Sequence, residues 1–203
     1  LLLPDGPPEV ARLWHELRVE LNVGQYLDLV GTAQGRRDRA GTRRIARYKS
    51  GKYTIERPLQ LGAVLAGGHH MTEALSRYGD PLGEAFQLRD DVLGVFGDST
   101  RTGKPVGDDL REGKPTLLLS VAHEQATDGQ RAALDLVGDP DLDADKVTLI
   151  QEVLVSTGAL SAVEAEIESL ADQAISSLDE LDTGTEVRRA LTDLADFVVA
   201  RTA

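Results

Sequence analysis

Apolar residues recur at spacings of three and four along most of this chain, the period of helices with one face turned inward. After Pro8, whose fixed φ suits a first helical turn, a stripe runs through Trp14, Leu17, Leu21, Gln25 and Asp28. A second helical segment is predicted from about Pro58 through Leu59, Leu61, Val64 and Leu65 to Tyr78, and a third over residues 79–96. Beyond Pro115, Val163, Ile167, Leu170, Ala174, Leu178 and Leu181 form one stripe, and Leu191, Leu194 and Val198 another. Breaks fall near Gly129, Gly138-Asp139-Pro140, Gly158 and Gly184. No strand alternation persists, and no repeat of fixed period occurs. The pattern predicts one all-α domain of antiparallel helices over residues 1–203, with no internal boundary.

Two polar stretches interrupt it. GRRDRAGTRRIARYKSGK, residues 35–52, is basic and contains glycine, and reads as a solvated linker able to draw in an anionic substrate. Nine of the 22 basic residues lie between Arg36 and Arg57. No aromatic platform or recognition motif accompanies them, and the net charge is −12, so no nucleic-acid partner is expected. Residues 97–114 carry Gly97, Gly103, Gly107, Gly113 and Pro105, the composition of a loop able to move.

Cysteine is absent, which excludes disulfide and thiolate chemistry and fits a cytoplasmic location. No apolar run approaches the roughly 20 residues of a membrane span. Leu1–Leu3 is followed at once by Pro4-Asp5-Gly6, so no signal peptide is expected, and the missing initial Met suggests an excerpt of a longer chain. His69-His70 lacks a third ligand at metal-binding spacing and is expected at the surface or a subunit contact. No serine sits in a nucleophile-elbow motif.

The chemistry concentrates in FQLRDDVLG, residues 86–94. Gln87, Asp90, Asp91 and Gly94 are three, four and seven apart and share a helix face, amid apolar Phe86, Leu88, Val92, Leu93 and Val95. Adjacent inward carboxylates cost several kcal/mol unless a cation compensates them. An oxygen-only ligand set suits Mg²⁺, whose shell is often completed by water and substrate phosphates. The plainer alternative is an acidic pair at a wet helix edge, salt-bridged to Arg89. Lys104 and Lys114 follow on the glycine-rich loop, together with Asp108 and Asp109. Ammonium groups on a loop that can close over a metal–carboxylate site are what a diphosphate requires.

GEAFQLRDDVLGVFGDSTRTGKPVGDDLREGKPT, residues 83–116, resembles the second aspartate-rich region of the trans-polyprenyl diphosphate synthases, the farnesyl and geranylgeranyl diphosphate synthase family. The family pattern there is approximately FQxxDDxxD followed by GKxxGxDxxxGKxT. NVGQYLDL, residues 22–29, is similar to the family's GQxxDL segment, and YKSGKYTIERPLQLGA, residues 48–63, to its KT-x-x-YT…PL…GA stretch, with Ser50 in the threonine's place. The last eighty or so residues match in helical character alone.

The resemblance implies an isoprenoid-synthase helical bundle around a central apolar cavity, and a homodimer. It also implies Mg²⁺, with Mn²⁺ as the alternative, and condensation of isopentenyl diphosphate with an allylic diphosphate to short-chain products, farnesyl or geranylgeranyl diphosphate. By position, Asp90 would ligate the metal, with Asp91 supporting it or binding through water. Lys49 and Lys104 would contact the allylic diphosphate and Lys114 would help close the loop. Gln87 would place an amide near the forming cation or the phosphates. Gln25, a further candidate for the diphosphate, and Asp28 would line the cavity wall with Phe86, or form a satisfied polar pair in the core.

Two departures stand out. Gly94 replaces the third aspartate of DDxxD, and the family's first aspartate-rich motif, with its two arginines, is not in this sequence. An excerpt lacking the N-terminal helices accounts for the second, and such a piece is expected to be inactive alone. The rival readings are a non-catalytic subunit of a heteromeric synthase and a class I terpene cyclase. The GKPVGDDLREGKPT loop argues against the cyclase.

Overall fold

A computed structural model describes residues 7–35, 38–97 and 107–201. They are helical nearly throughout, and no strand occurs among them. Helix α1 spans Pro8–Ala33 and α2 Arg39–Ala46; a π-helix then covers Arg47–Glu56, and α3 runs over Arg57–Leu65. A 3₁₀ turn at His69–Met71 leads into α4, Thr72–Phe96. One turn of helix, α5, covers Asp108–Arg111, and α6 spans Leu117–Gln125. The remainder is α7 Asp128–Leu134, α8 Ala144–Ser156, α9 Ala159–Ser177, a 3₁₀ turn Leu178–Glu180 and α10 Thr185–Ala200.

Helix α4 is the axis of the bundle. It packs against the π-helix on one side and α9 on the other, and also touches α3, α5, α6 and α10. Leu75, Tyr78, Leu82, Ala85, Leu88, Val92 and Val95 are buried on one side and Gly79, Gly83 and Gln87 on the other, which surrounds α4 with protein on most of its circumference. The predicted break at residues 79–81 does not occur, because α4 runs through Pro81. A proline inside a helix costs about 3 kcal/mol. Fully burying a single leucine recovers roughly 1.5–3 kcal/mol, and Tyr78 and Leu82 are buried on either side of it. The true interruption lies earlier, at Ala66–Gly68, between α3 and the 3₁₀ turn.

The basic stretch is a second correction. Residues 39–56 are helical, not a solvated linker. Asp38 caps α2 by accepting from the Gly41 amide at 2.6 Å. Ile45 and Ala46 enter the interior. The arginines answer acids on neighbouring helices: Arg39 pairs with Glu124, Arg43 with Glu84 and Arg47 with Asp80. Lys52 is only 8 % exposed. It donates to Glu56 at 2.6 Å and lies 3.5 Å from Glu20. Arg57 forks onto Glu20 and reaches Gln60, Gln60 donates to Ser76, and Ser76 donates back to Glu56. This closed ring of polar groups ties α1, the π-helix, α3 and α4 together. Burial alone would raise the Glu20 carboxyl, but Arg57 and Lys52 hold it below its ordinary value.

The C-terminal stripes are largely as predicted: Val163, Ile167, Leu170, Ala174, Leu178, Leu181, Leu191 and Val198 are buried, and Leu194 is partly buried against the same core. Tyr78 donates its hydroxyl to the Leu191 carbonyl at 2.7 Å and so fixes α10 on α4. On α1 the inward face differs from the predicted stripe. Val10, Leu13, Gly24 and Gly31 are buried, whereas Gln25 is exposed. A Cβ on Gly24 would collide with the backbone of Tyr48 and Lys49, so this glycine lets α1 touch the π-helix directly.

Candidate functional site

That contact builds the site. With the two backbones touching at Gly24, Asp28 lies one turn further along α1, and Lys49 donates to it at 2.7 Å. A narrow pocket of about 10 Å³, the space of one water molecule, lies beside the pair, lined by Asp28, Lys49, Gln87, Asp91 and Lys114, with Thr42, Ile45, Ala46, Pro115 and Thr116 completing the wall. Five of the residues singled out from sequence, carried by α1, the π-helix, α4 and the segment before α6, therefore converge. Thr116 positions that last segment by capping α6 on the Leu119 amide.

Within the pocket the charges are coupled. Gln87 donates to Asp91 at 2.8 Å. Burial pushes the Asp91 carboxyl up to about 7; the Gln87 amide opposes this, Asp109 and Asp90 add to it, and Lys49 draws it back. Lys114 pairs with Asp109 and lies 3.1 Å from Glu112. Burial disfavours its charge, but the two carboxylates outweigh burial and hold the ammonium above its usual range. Arg89 does not serve the acids, since both its terminal amines engage Glu164, at 2.6 and 2.7 Å.

Gly94 has a clear spatial meaning. The Asp109 carboxylate fills the volume that a side chain at position 94 would occupy, and any Cβ there would overlap Asp109 Oδ2. Asp109, arriving from α5, therefore stands beside the acidic face of α4 where the pattern lacks its third acid.

Not every candidate joins the pocket. Asp90 points outward with its side chain 57 % exposed, bound by Arg201 at 2.6 Å. Phe86 lies beneath the same guanidinium, 4.3 Å from ring centroid to Arg201 Cζ. Gln25 is outside the pocket lining. Lys104 falls outside the described residues. His69 and His70 are exposed, and no cluster of three or more ligating side chains occurs among the described residues. Sequence reading passed over the parts played by Thr116 and Arg201. The GKPT spacing held a signal for Thr116, but nothing pointed to Arg201, 111 residues from Asp90.

An all-α bundle whose central helix carries the acids, with lysines brought to them from the π-helix and the segment before α6, is the architecture of isoprenoid diphosphate enzymes, and the comparisons agree. The polyprenyl synthetase family profile matches residues 2–154. The chain is 35% identical over 188 residues to a geranylfarnesyl diphosphate synthase of Aeropyrum pernix, covering 92% of this chain and 58% of that protein. A (2E,6E)-farnesyl diphosphate synthase of Mycobacterium tuberculosis is 35% identical over 149 residues, which is 71% of this chain and 42% of the relative. Among solved structures, a geranylgeranyl pyrophosphate synthase of Corynebacterium glutamicum, complexed with isoprenyl diphosphate and magnesium, superposes with a TM-score of 0.91 at 38% identity, over 95% of this chain and 55% of that one. A polyprenyl synthase of Caulobacter crescentus, complexed with calcium and isoprenyl diphosphate, gives 0.87 at 30% identity, over 96% and 60%. This chain belongs to the polyprenyl synthetase family. It covers between 42% and 60% of the length of these relatives. No single helix among the described residues is long and apolar enough to cross a membrane.

Proposed function

We propose that the full-length protein is a Mg²⁺-dependent short-chain prenyl diphosphate synthase, and that this pocket is part of its diphosphate site. The observation that carries the reading is the convergence of Lys49, Lys114, Gln87 and Asp91 from three separate segments onto one small pocket. Ile45, Ala46 and Pro115 give that pocket a partly apolar wall. The donor set fits a hard cation. The acids offer oxygen ligands, and bound positive charge would offset the burial, and the smaller effect of neighbouring Asp109 and Asp90, that push Asp91 up to about 7. Mg²⁺ typically takes one or two protein carboxylates and completes its shell with water and phosphate, so a close-set trio of ligands is not required.

Asp90 and Asp91 are the residues that would hold the metal, with Asp109 beside them. Once bound, the metal would stabilise charge on a departing diphosphate. The chain's own groups do the rest. Lys49 and Lys114 present ammonium groups to phosphate oxygens, each kept in place by a carboxylate, Asp28 and Asp109 respectively. Gln87 orients Asp91 through its amide. As the allylic C–O bond breaks, its electron pair leaves with the diphosphate. The double bond of isopentenyl diphosphate then attacks the allylic cation, and a proton is lost to the departing diphosphate. Lys104, a homodimeric assembly and a second acidic wall supplied by further chain belong to the same proposal.

The test is turnover by the full-length protein with isopentenyl and allylic diphosphates, with Mg²⁺ and with chelator. Mg²⁺-dependent elongated product is the expected result. Product from the allylic diphosphate alone would mark a cyclase. Diphosphate binding without turnover would mark a non-catalytic subunit.

The Gly94 geometry adds a prediction that runs against the motif. Gly94→Asp restores the DDxxD spacing but should turn Asp109 out of the site and free Lys114 from it. Losses of roughly 10–100-fold accompany removal of such supporting groups. The apparent Mg²⁺ requirement should rise by a comparable factor, read from turnover against metal concentration. An unchanged or lower requirement would show that Asp109 plays no such part.

A further inference from the structure

Arg201 is the first residue beyond α10 and makes two contacts on α4. Its guanidinium donates to Asp90 Oδ1 at 2.6 Å, and its Cζ lies 4.3 Å from the Phe86 ring centroid. Phe86 and Asp90 are one turn apart, so both contacts fall on one face. The arginine side chain is 15 % exposed although its partner Asp90 is 57 % exposed. This is not a loose surface pair. The stacked ring and the anchored α10, through buried Leu191, Ala195 and Val198, deliver the guanidinium to this carboxylate.

We infer that Arg201 is a placeholder cation for Asp90. It neutralises the acid until metal and diphosphate arrive together, and its guanidinium then passes to diphosphate oxygens, which its forked N–H groups match. A divalent cation approaching Asp90 alone must displace or crowd a positive charge already there, which weakens it. A diphosphate removes that conflict by giving the guanidinium another anion. Metal and diphosphate therefore favour each other's binding, and by linkage the coupling is the same in both directions. The inference rests on the diphosphate-site reading above.

The experiment is calorimetric titration of the full-length protein with Mg²⁺ alone, with inorganic diphosphate at saturating Mg²⁺, and with both orders of addition. In Arg201→Gln, Mg²⁺ alone should bind roughly two- to fivefold tighter, the size of an exposed to part-buried pair. Diphosphate should bind more weakly, and the coupling factor between the two should fall. Arg201→Lys keeps the charge and should hold the wild-type affinity for Mg²⁺ alone. A merely structural arginine would not yield tighter metal binding when removed. Unchanged or weaker Mg²⁺ affinity in Arg201→Gln overturns the inference, as does a lysine variant that behaves like the glutamine one. Failure of the wild-type protein to bind Mg²⁺ and diphosphate at all would instead overturn the site reading.

Discussion

Asp90→Asn should lower the turnover of the full-length protein by about 10²–10³-fold, the scale on which a single charge-stabilising group is lost from an active site. The same change should leave the melting temperature within about a degree or two, because the Asp90 side chain is 57 % exposed and such sites tolerate substitution within about 0.5 kcal/mol. The separation of the two effects is the point. Asp91 lies in the pocket lining, and its loss would mix catalysis with packing. Among the described residues Asp90 reaches out of the bundle to Arg201 alone, so a catalytic deficit there has no folding explanation. Steady-state kinetics beside a thermal melt checks it, and turnover within threefold of wild type would remove Asp90 from the metal-binding role.

Lys52→Met should destabilise the protein by roughly 3–5 kcal/mol, the cost of leaving one member of a buried ion pair alone. Glu56 is 3 % exposed and, among the described residues, would keep the Ser76 hydroxyl alone as a donor. Urea unfolding should show a lower midpoint with the slope unchanged. Replacing both partners, Lys52→Met with Glu56→Leu, should recover a good part of the loss, since two matched apolar groups leave no orphaned charge. A single variant within 1 kcal/mol of wild type would mean that the ring contributes little.

The all-α fold class was legible because it rests on short-range spacing, Lys114 because it lies on a glycine-rich loop, and Lys49 through the resemblance of residues 48–63 to a family motif. The stripes of α9 and α10 needed only the helical period. Lys49, Gln87, Asp91 and Lys114 each sat in a motif whose chemistry could be named. The misreadings share a cause, which is information held outside the segment concerned. Residues 35–52 read as a solvated linker because their acidic partners, Glu84, Asp80, Glu124 and Glu20, are elsewhere in the chain. The inward face of α1 was set one residue off because Gly24 and Gly31 have no hydropathy to count, although they make the closest contacts. Pro81 predicted a break that core burial overrides. The meaning of Gly94 depended on Asp109, fifteen residues on, and Arg201 carried no local signal at all.

The π-helix has a consequence for how this sequence can vary by insertion and deletion. Its i→i+5 bonding widens the turn, so Lys49 and Lys52, three residues apart, serve different neighbours. Lys49 faces the pocket and Asp28, while Lys52 faces the polar ring and Glu56. Adding or removing one residue between Asp38 and Lys49 would rotate both off their faces together, turning the pocket-facing lysine away from Asp28 and the structural one away from Glu20. Substitutions on this segment can be compensated one at a time, but a change of length cannot.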